Sequence, residues 1–374
     1  RPETHFETLI QLRSQRRDAE KVGIYDGVLG ERGAHLMQRW AATQHSDALS
    51  SSALELFARC PLRYFFERVL GLDGEDQPDD DDLDARAAGT LVHEITRRFF
   101  ETHTSPLQAE NFDAARQILA EIAREECFKL PIRPILREAE WHRLMGADGQ
   151  SGPLSRWLKL ETAAGKGVWN MAMRPLSHSQ ISLEGVKNGL EHRFRIEISG
   201  QTVVGTIDRL DISAGGEQIA VLDYKTGGIA GLPSWNRGDS GLHFQLAIYA
   251  LAARNLTQNQ PNPPRLAMAY LSLRSAKIAR GIGQDGTFKA KKGQQLSDEN
   301  FADWLGDVSA RVGQIAAMRR AGSFHIALQN AKDAKCEHCD CKTLCGQNVE
   351  VQRARFDGLQ RAEKVYLPTV WEWT

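Results

Sequence analysis

The chain has 374 residues, 41% apolar and 25% charged, which suits a globular protein with room for one large domain or two to three smaller ones. A formal charge of -1 gives no global sign of a polyanion partner, so any contact with nucleic acid has to come from a local groove. No run approaches the roughly 18 apolar residues of a membrane helix, and six cysteines are too few for a disulfide scaffold, which points to a reducing cytoplasm.

The first residue is Arg1, and the opening stretch carries Arg13, Arg16, Arg17 and Lys21 without an apolar segment, so this stretch is not expected to be a secretory signal. Residues 1–50 are expected to be a polar lead-in from a missing upstream region of a longer polypeptide. Ser51 and Ser52 then cap a helix that carries Leu54, Leu56 and Phe57, breaks near Pro61 and resumes through Leu62, Tyr64 and Phe65. The run from Glu75 to Asp84 reads as a solvated loop, because adjacent aspartates cannot all point at one ion.

Helical periodicity returns from Ala85 to His103, with Leu91, Ile95 and Phe99 on one face and His93 on another, and residues 105–175 continue rich in helix. The period changes after Ser182. Leu190 to Ile198, Gln201 to Asp211 and Gln218 to Lys225 alternate or run apolar at strand lengths, separated by Ser-Gly and Gly-Gly turns. A helix over 241–255 and a strand over 266–273 follow, then an exposed loop or ribbon over 278–294 and an amphipathic helix over 298–321. This order predicts an α/β fold with a mixed central sheet flanked by helices.

Two features carry chemistry. The first is Gly205-Thr-Ile-Asp208-Arg209 followed by Asp223-Tyr224-Lys225-Thr226-Gly227. Asp208 and Asp223 are expected to end neighbouring strands, and Lys225 lies two residues past Asp223, hence on the same face. Two carboxylates and an ammonium at one point suit phosphodiester hydrolysis: hard oxygens hold Mg2+ or Mn2+, and the lysine orients water or neutralises developing charge. Taken alone, Asp-x-Lys far more often describes a surface salt bridge on a hairpin. The second feature is Cys336-x2-Cys339-x5-Cys345, with Cys60 far upstream. Four thiolates accept zinc or iron–sulfur alike, and a ligand borrowed from Cys60 would clasp the two ends of a domain together. Cys341 falls outside that spacing, and Cys127 reads as a buried apolar residue.

In register, Gly89-x3-His93, Gly205-x2-Asp208-Arg209, Asp223-Tyr-Lys-Thr-Gly227, Gln245-x3-Tyr249 and the closing cysteines resemble the RecB-like branch of the PD-(D/E)xK nucleases. The resemblance implies a restriction-endonuclease-like core over 51–347, a helical insertion at about 105–175 and a C-terminal tail over 348–374. It implies His93, Asp208, Asp223 and the Tyr224 main-chain oxygen as metal ligands, and Lys225 as the catalytic lysine. Gln245 and Tyr249 would support the site or touch DNA, and Cys60, Cys336, Cys339 and Cys345 would hold a [4Fe–4S] cluster in preference to zinc. Asp223 is shorter than the glutamate usual in the branch, and Glu191 is either an accessory acid or a ladder-edge charge.

Within the branch the chain looks most like the C-terminal nuclease domain of AddB-type subunits of AddAB helicase–nucleases. That implies single-stranded DNA ends as substrate, an AddA-like helicase partner and a role in recombinational repair of double-strand breaks. A stand-alone RecB-family exonuclease and a non-catalytic DNA-binding or assembly module are the alternatives. Arg63, Tyr64, Arg97, Arg98, Arg209 and Lys225 are candidates for a strand-binding channel, and each except Lys225 suits packing or an ion pair equally well.

Overall fold

A computed structural model of the chain describes residues 24–44, 47–72, 83–147, 150–162, 168–227, 243–289, 293–325 and 336–345, with a few single positions besides. Most of the first 23 residues, the acidic run at 75–82, Lys291, Lys292 and all but one residue of the 348–374 tail lie outside the described residues.

Eight strands form one mixed sheet: β1 (Leu49–Ser50), β2 (Met173–Pro175), β3 (Leu190–Ile198), β4 (Gln201–Ser213), β5 (Gln218–Lys225), β6 (Arg265–Ser272), β7 (Lys277–Gln284) and β8 (Gln294–Leu296). The order is β1-β4-β5-β6-β7-β8, with β2 and β3 also paired to β4. The long strand β4 changes neighbours along its length. Its first half runs antiparallel to β3 and parallel to β1, and its second half pairs with β5 and β2. From β5 to β6 the pairing is parallel, so the chain must cross over between them, and it does so through a helix.

The helices are α1 (Gly30–Thr43), α2 (Ser51–Arg59), α3 (Pro61–Tyr64) continuing into a π-helical turn, α4 (Ala85–Thr102), α5 (Phe112–Phe128), α6 (Pro134–Met145), α7 (Pro153–Thr162), the crossover helix α8 (Gln245–Thr257), α9 (Asp298–Arg320) and the short α10 (Lys342–Cys345). One core joins α2, α8 and α9 to one face of the sheet, through Phe57, Leu246, Val312, Val203, Ile207 and Val221. A second joins α4 to α7 through Phe99, Phe100, Leu119 and Trp157, and it reaches the sheet at Tyr224 and Leu271. Residues 218–224 are accordingly buried without alternation, as expected for a central strand covered on both faces.

Several expectations shift. The cap of α2 is Ser50, whose Oγ accepts the Ala53 N–H at 3.1 Å, because Ser50 is the last extended residue of β1 and Ser51 is already helical. Asp208 sits inside β4 rather than at its end, since that strand runs on to Ser213. The supposed exposed ribbon supplies β7, which gives β6 its second partner and buries Ile282. Gly281 leaves room for Phe288, whose ring would lie 2.7 Å from a Cβ there. The segment preceding β1 is also integrated: Leu29 N–H donates to the Gly322 carbonyl at 2.9 Å, and Met37 of α1 is buried. Gly33 and Gly322 meet so closely that a Cβ on Gly33 would lie 2.7 Å from the Gly322 Cα.

Candidate active site

The site forms where β4, β5 and α4 converge. Asp223 and Lys225 share a face of β5, and the Lys225 ammonium lies 2.6 Å from Asp223 Oδ2. Two more contacts hold the ammonium: Gln245 Oε1 at 2.9 Å and the ring of Tyr270, whose centre is 5.0 Å away. Gln245 Nε2 donates to Asp223 Oδ1 at 2.6 Å and to the Tyr249 hydroxyl at 3.0 Å, so the pair four residues apart on α8 faces the site as the helical spacing predicts.

Asp208 is buried beside this group. Its Oδ2 accepts the Tyr224 N–H at 2.7 Å, and its Oδ1 lies 3.6 Å from His93 Nδ1. His93 reaches in from α4, with Nδ1 3.3 Å from Glu191 Oε1 and Nε2 3.4 Å from the Tyr224 carbonyl. One donor atom each from His93, Glu191 and Asp208 falls within 4.8 Å of the others, a spacing that a divalent cation could bridge. Glu191, read from sequence as acid or ladder charge, is therefore at the site. It is held at a φ of 45°, a left-handed conformation that costs a non-glycine residue energy and often marks a functional position.

The donor set fits a hard divalent cation. Asp223 Oδ2 is buried with the Lys225 ammonium as its partner at 2.6 Å, so the carboxylate faces the same point as the Asp208, His93 and Glu191 donors. The electrostatics agree. Burial and then the charge of Asp223 push Asp208 up to about 8, against His93 and the Tyr224 N–H. Burial also raises Asp223, opposed by Lys225. For His93, burial opposes protonation, but the Glu191 hydrogen bond and the charge of Asp208 outweigh it and raise the imidazole to about 9.

All three shifts are upward, so without metal the folded protein keeps protons that the unfolded chain releases. Stability from these groups is full at low pH and is lost as pH rises through about 8 to 9. The metal-free protein should show a falling Tm between pH 6 and 9, and saturating Mn2+ should abolish the fall, because metal binds the deprotonated ligands. A flat metal-free profile in differential scanning calorimetry would contradict this electrostatic picture.

Two supports were not visible in the sequence. Glu55 of α2 accepts the N–H groups of Phe244 at 3.0 Å and Gln245 at 3.2 Å, so a carboxylate 190 positions upstream seats the first turn of α8. The only local signal is an acid set among Leu54, Leu56 and Phe57. The second is Phe194, which packs on Gly205 and meets the Tyr249 ring edge-on at 6.0 Å. A Cβ at Gly205 would lie 2.5 Å from Phe194 Cζ. Gly205→Ala should therefore cost about 1–3 kcal/mol in urea unfolding as the ring is displaced.

The channel candidates do not come together. Arg209 is buried against Glu161 and Asp211, Arg97 pairs with Glu94 and Glu101, Arg98 with Glu125 and Glu126, and Arg63 with Glu67. Tyr64 is a core residue. Acids three or four residues away on the same helix explain Arg63 and Arg97.

Of the cysteines, Cys60 accepts the Arg63 N–H at 3.4 Å and so caps α3. Arg63 Nη2 lies 4.0 Å from Asp340, between Cys339 and Cys341, so the loop bearing the C-terminal cysteines sits against the turn that Cys60 caps. Burial first, then the Cys339 and Cys345 thiolates, raise the Cys336 thiol. Among the described residues, no three of the cysteine sulfurs all lie within 4.8 Å of one another, so the structure does not bring Cys60, Cys336, Cys339 and Cys345 together as a closed ligand set. Cys341 is buried with its thiol pushed up to about 11 by burial, and Cys127 is fully buried with its thiol pushed up to about 12 by burial.

The sequence matches the PD-(D/E)XK nuclease superfamily over residues 48–346. The chain belongs to this superfamily. Its mixed sheet flanked by helices is the PD-(D/E)XK fold, and the superfamily uses divalent metals, in keeping with the acidic site. Among solved structures, an exonuclease candidate from Eubacterium rectale is 14% identical, with 82% of this chain and 90% of that one covered at a TM-score of 0.39. The protein SSO0001 is also 14% identical, with 84% and 96% covered at a TM-score of 0.27. Among the described residues no helix is long and apolar enough to cross a membrane.

Proposed function

We propose that this PD-(D/E)XK nuclease is a Mg2+- or Mn2+-dependent deoxyribonuclease acting exonucleolytically on single-stranded DNA ends. The observation that carries the reading is the convergence of half-buried His93, Glu191 and Lys225 on the buried Asp208 and Asp223. His93, Asp208, Asp223 and the Tyr224 carbonyl would hold the ion, with Glu191 as an added ligand. Bound there, the ion would polarise the scissile phosphate and acidify a water. Lys225, aimed by Asp223, Gln245 and Tyr270, orients the attacking water and offsets charge in the transition state. Gln245 and Tyr249 position Asp223 and Lys225. Burial keeps the Tyr249 hydroxyl protonated, so it remains a donor.

The test is cleavage of end-labelled single-stranded DNA by purified protein with Mg2+ or Mn2+ and with chelator. Metal-dependent shortening from an end supports the reading, and a folded, metal-loaded protein that leaves DNA intact sinks it in favour of a DNA-binding module.

The motif order supports assigning the chain to AddB-type subunits that process broken DNA ends in the cytoplasm beside an AddA-like helicase. Residues 51–347 form the nuclease unit in this reading. Cys60, Cys336, Cys339 and Cys345 then hold a structural [4Fe–4S] cluster that joins the ends of the domain. Anaerobically prepared protein should contain iron and acid-labile sulfide, which Cys60→Ser and Cys345→Ser lose and Cys341→Ser retains. Zinc in place of iron would overturn the cluster assignment.

A further inference from the structure

The six candidate strand-binding residues are neutralised, buried or already in the active site, but another set of arginines is not. A cleft of about 390 Å³ opens between the helical insertion and the strand ends that carry the site. Its wall runs from Ala88 and Val92 on α4, the helix of His93, past Thr226 to Arg143, Arg156 and Arg274. Thr226 directly follows Lys225. The Lys225 carbonyl accepts the N–H of Leu273, also in the wall, at 3.0 Å, so cleft and active site share a partition. Ala88 precedes His93 by about 7.5 Å along the helix at 1.5 Å per residue. That is about two nucleotide steps at the 3.4 Å per-strand spacing of stacked DNA.

The charges differ in availability. Arg143 is bidentate with Glu140 and brings no net charge. Arg156 instead donates Nη1 to the Ser151 carbonyl at 3.0 Å and Nη2 to the Arg274 carbonyl at 2.8 Å. Its guanidinium is thus anchored by backbone oxygens, with its charge uncompensated. Arg274 is exposed on the turn between β6 and β7, and among the described residues neither it nor Arg156 has a carboxylate partner. The first turn of α7 also lines the cleft. An anchored guanidinium beside a free one, in a cleft walled off from the site by the Lys225–Leu273 main chain, suits the repeating phosphates of a polynucleotide.

We infer that this cleft holds the phosphodiester backbone of the single DNA strand one or two nucleotides from the scissile phosphate, with Arg156 and Arg274 as its phosphate contacts. The inference rests on the nuclease reading of the adjoining site.

Fluorescence anisotropy of a labelled oligothymidine with the full chain in EDTA tests it without interference from cleavage. Arg274→Glu and Arg156→Gln should each weaken binding about tenfold and lower the slope of log K against log salt by about 0.7 for each phosphate no longer neutralised. Glutamine at 156 can still donate to a backbone carbonyl, and Arg274→Ala removes charge without reversing it, should the glutamate misfold. Arg116→Glu, an exposed change of equal charge on α5, should leave binding intact. Unchanged binding by folded Arg274 and Arg156 variants overturns the cleft, as does an equal loss in Arg116→Glu. The nuclease reading is scored separately: cleavage by the wild type with no arginine effect upholds it alone, and arginine-dependent binding by a chain that never cuts upholds the cleft alone.

Discussion

Lys225→Met is expected to lower metal-supported cleavage of single-stranded DNA by about 100- to 1,000-fold, the range for removing one preorganised charge or donor from a transition state. Methionine keeps the length of the stem over Tyr270 and removes only the ammonium. Because that ammonium is held by Asp223 and Gln245 before substrate arrives, its loss should fall on kcat and leave KM nearly unchanged. Asp223→Asn should be as severe, since it removes both a ligand oxygen and the anchor of Lys225. The double variant should be little worse than either single one, because the two residues act as a unit. Multiplicative losses in single-turnover kinetics would mean that Asp223 and Lys225 work independently, contrary to the contacts between them.

Arg209→Leu should cost about 3–5 kcal/mol, the penalty for leaving buried charges without their partner. The guanidinium is buried and bonded to Glu161 at 2.8 and 3.0 Å, to Asp211 at 2.6 and 2.7 Å and to the Tyr224 hydroxyl at 3.1 Å, with the Phe100 ring 4.6 Å away. Leucine would strand two carboxylates in the core. Activity should fall as well, because the Tyr224 main chain both holds Asp208 and faces His93. Denaturant unfolding measures this, and a loss below about 1 kcal/mol, typical of an exposed pair, would contradict the burial of the network.

Much of the site was legible because its residues lie within a few positions of one another. Strand alternation put Asp223 and Lys225 on one face, and a four-residue helical step put Gln245 beside Tyr249. The change of period after Ser182 located the sheet. Long-range partners were not legible. Glu55 meets Gln245 across 190 positions and Glu161 meets Arg209 across 48, and no local pattern records such a meeting. Glu191 stayed ambiguous for the same reason, since only the approach of α4 to the start of β3 gives it His93 as a neighbour. The region of β7 looked like a ribbon because Gly281 and Gly283 dilute its alternation, although those glycines make room for Phe288 and Thr287. By itself the sequence determined which reactive groups the chain carries and in what order, because those groups sit in short periodic motifs. Tertiary structure alone decided which acids share a site and which arginines remain uncompensated, because charge pairing depends on which elements the fold brings within a few ångströms.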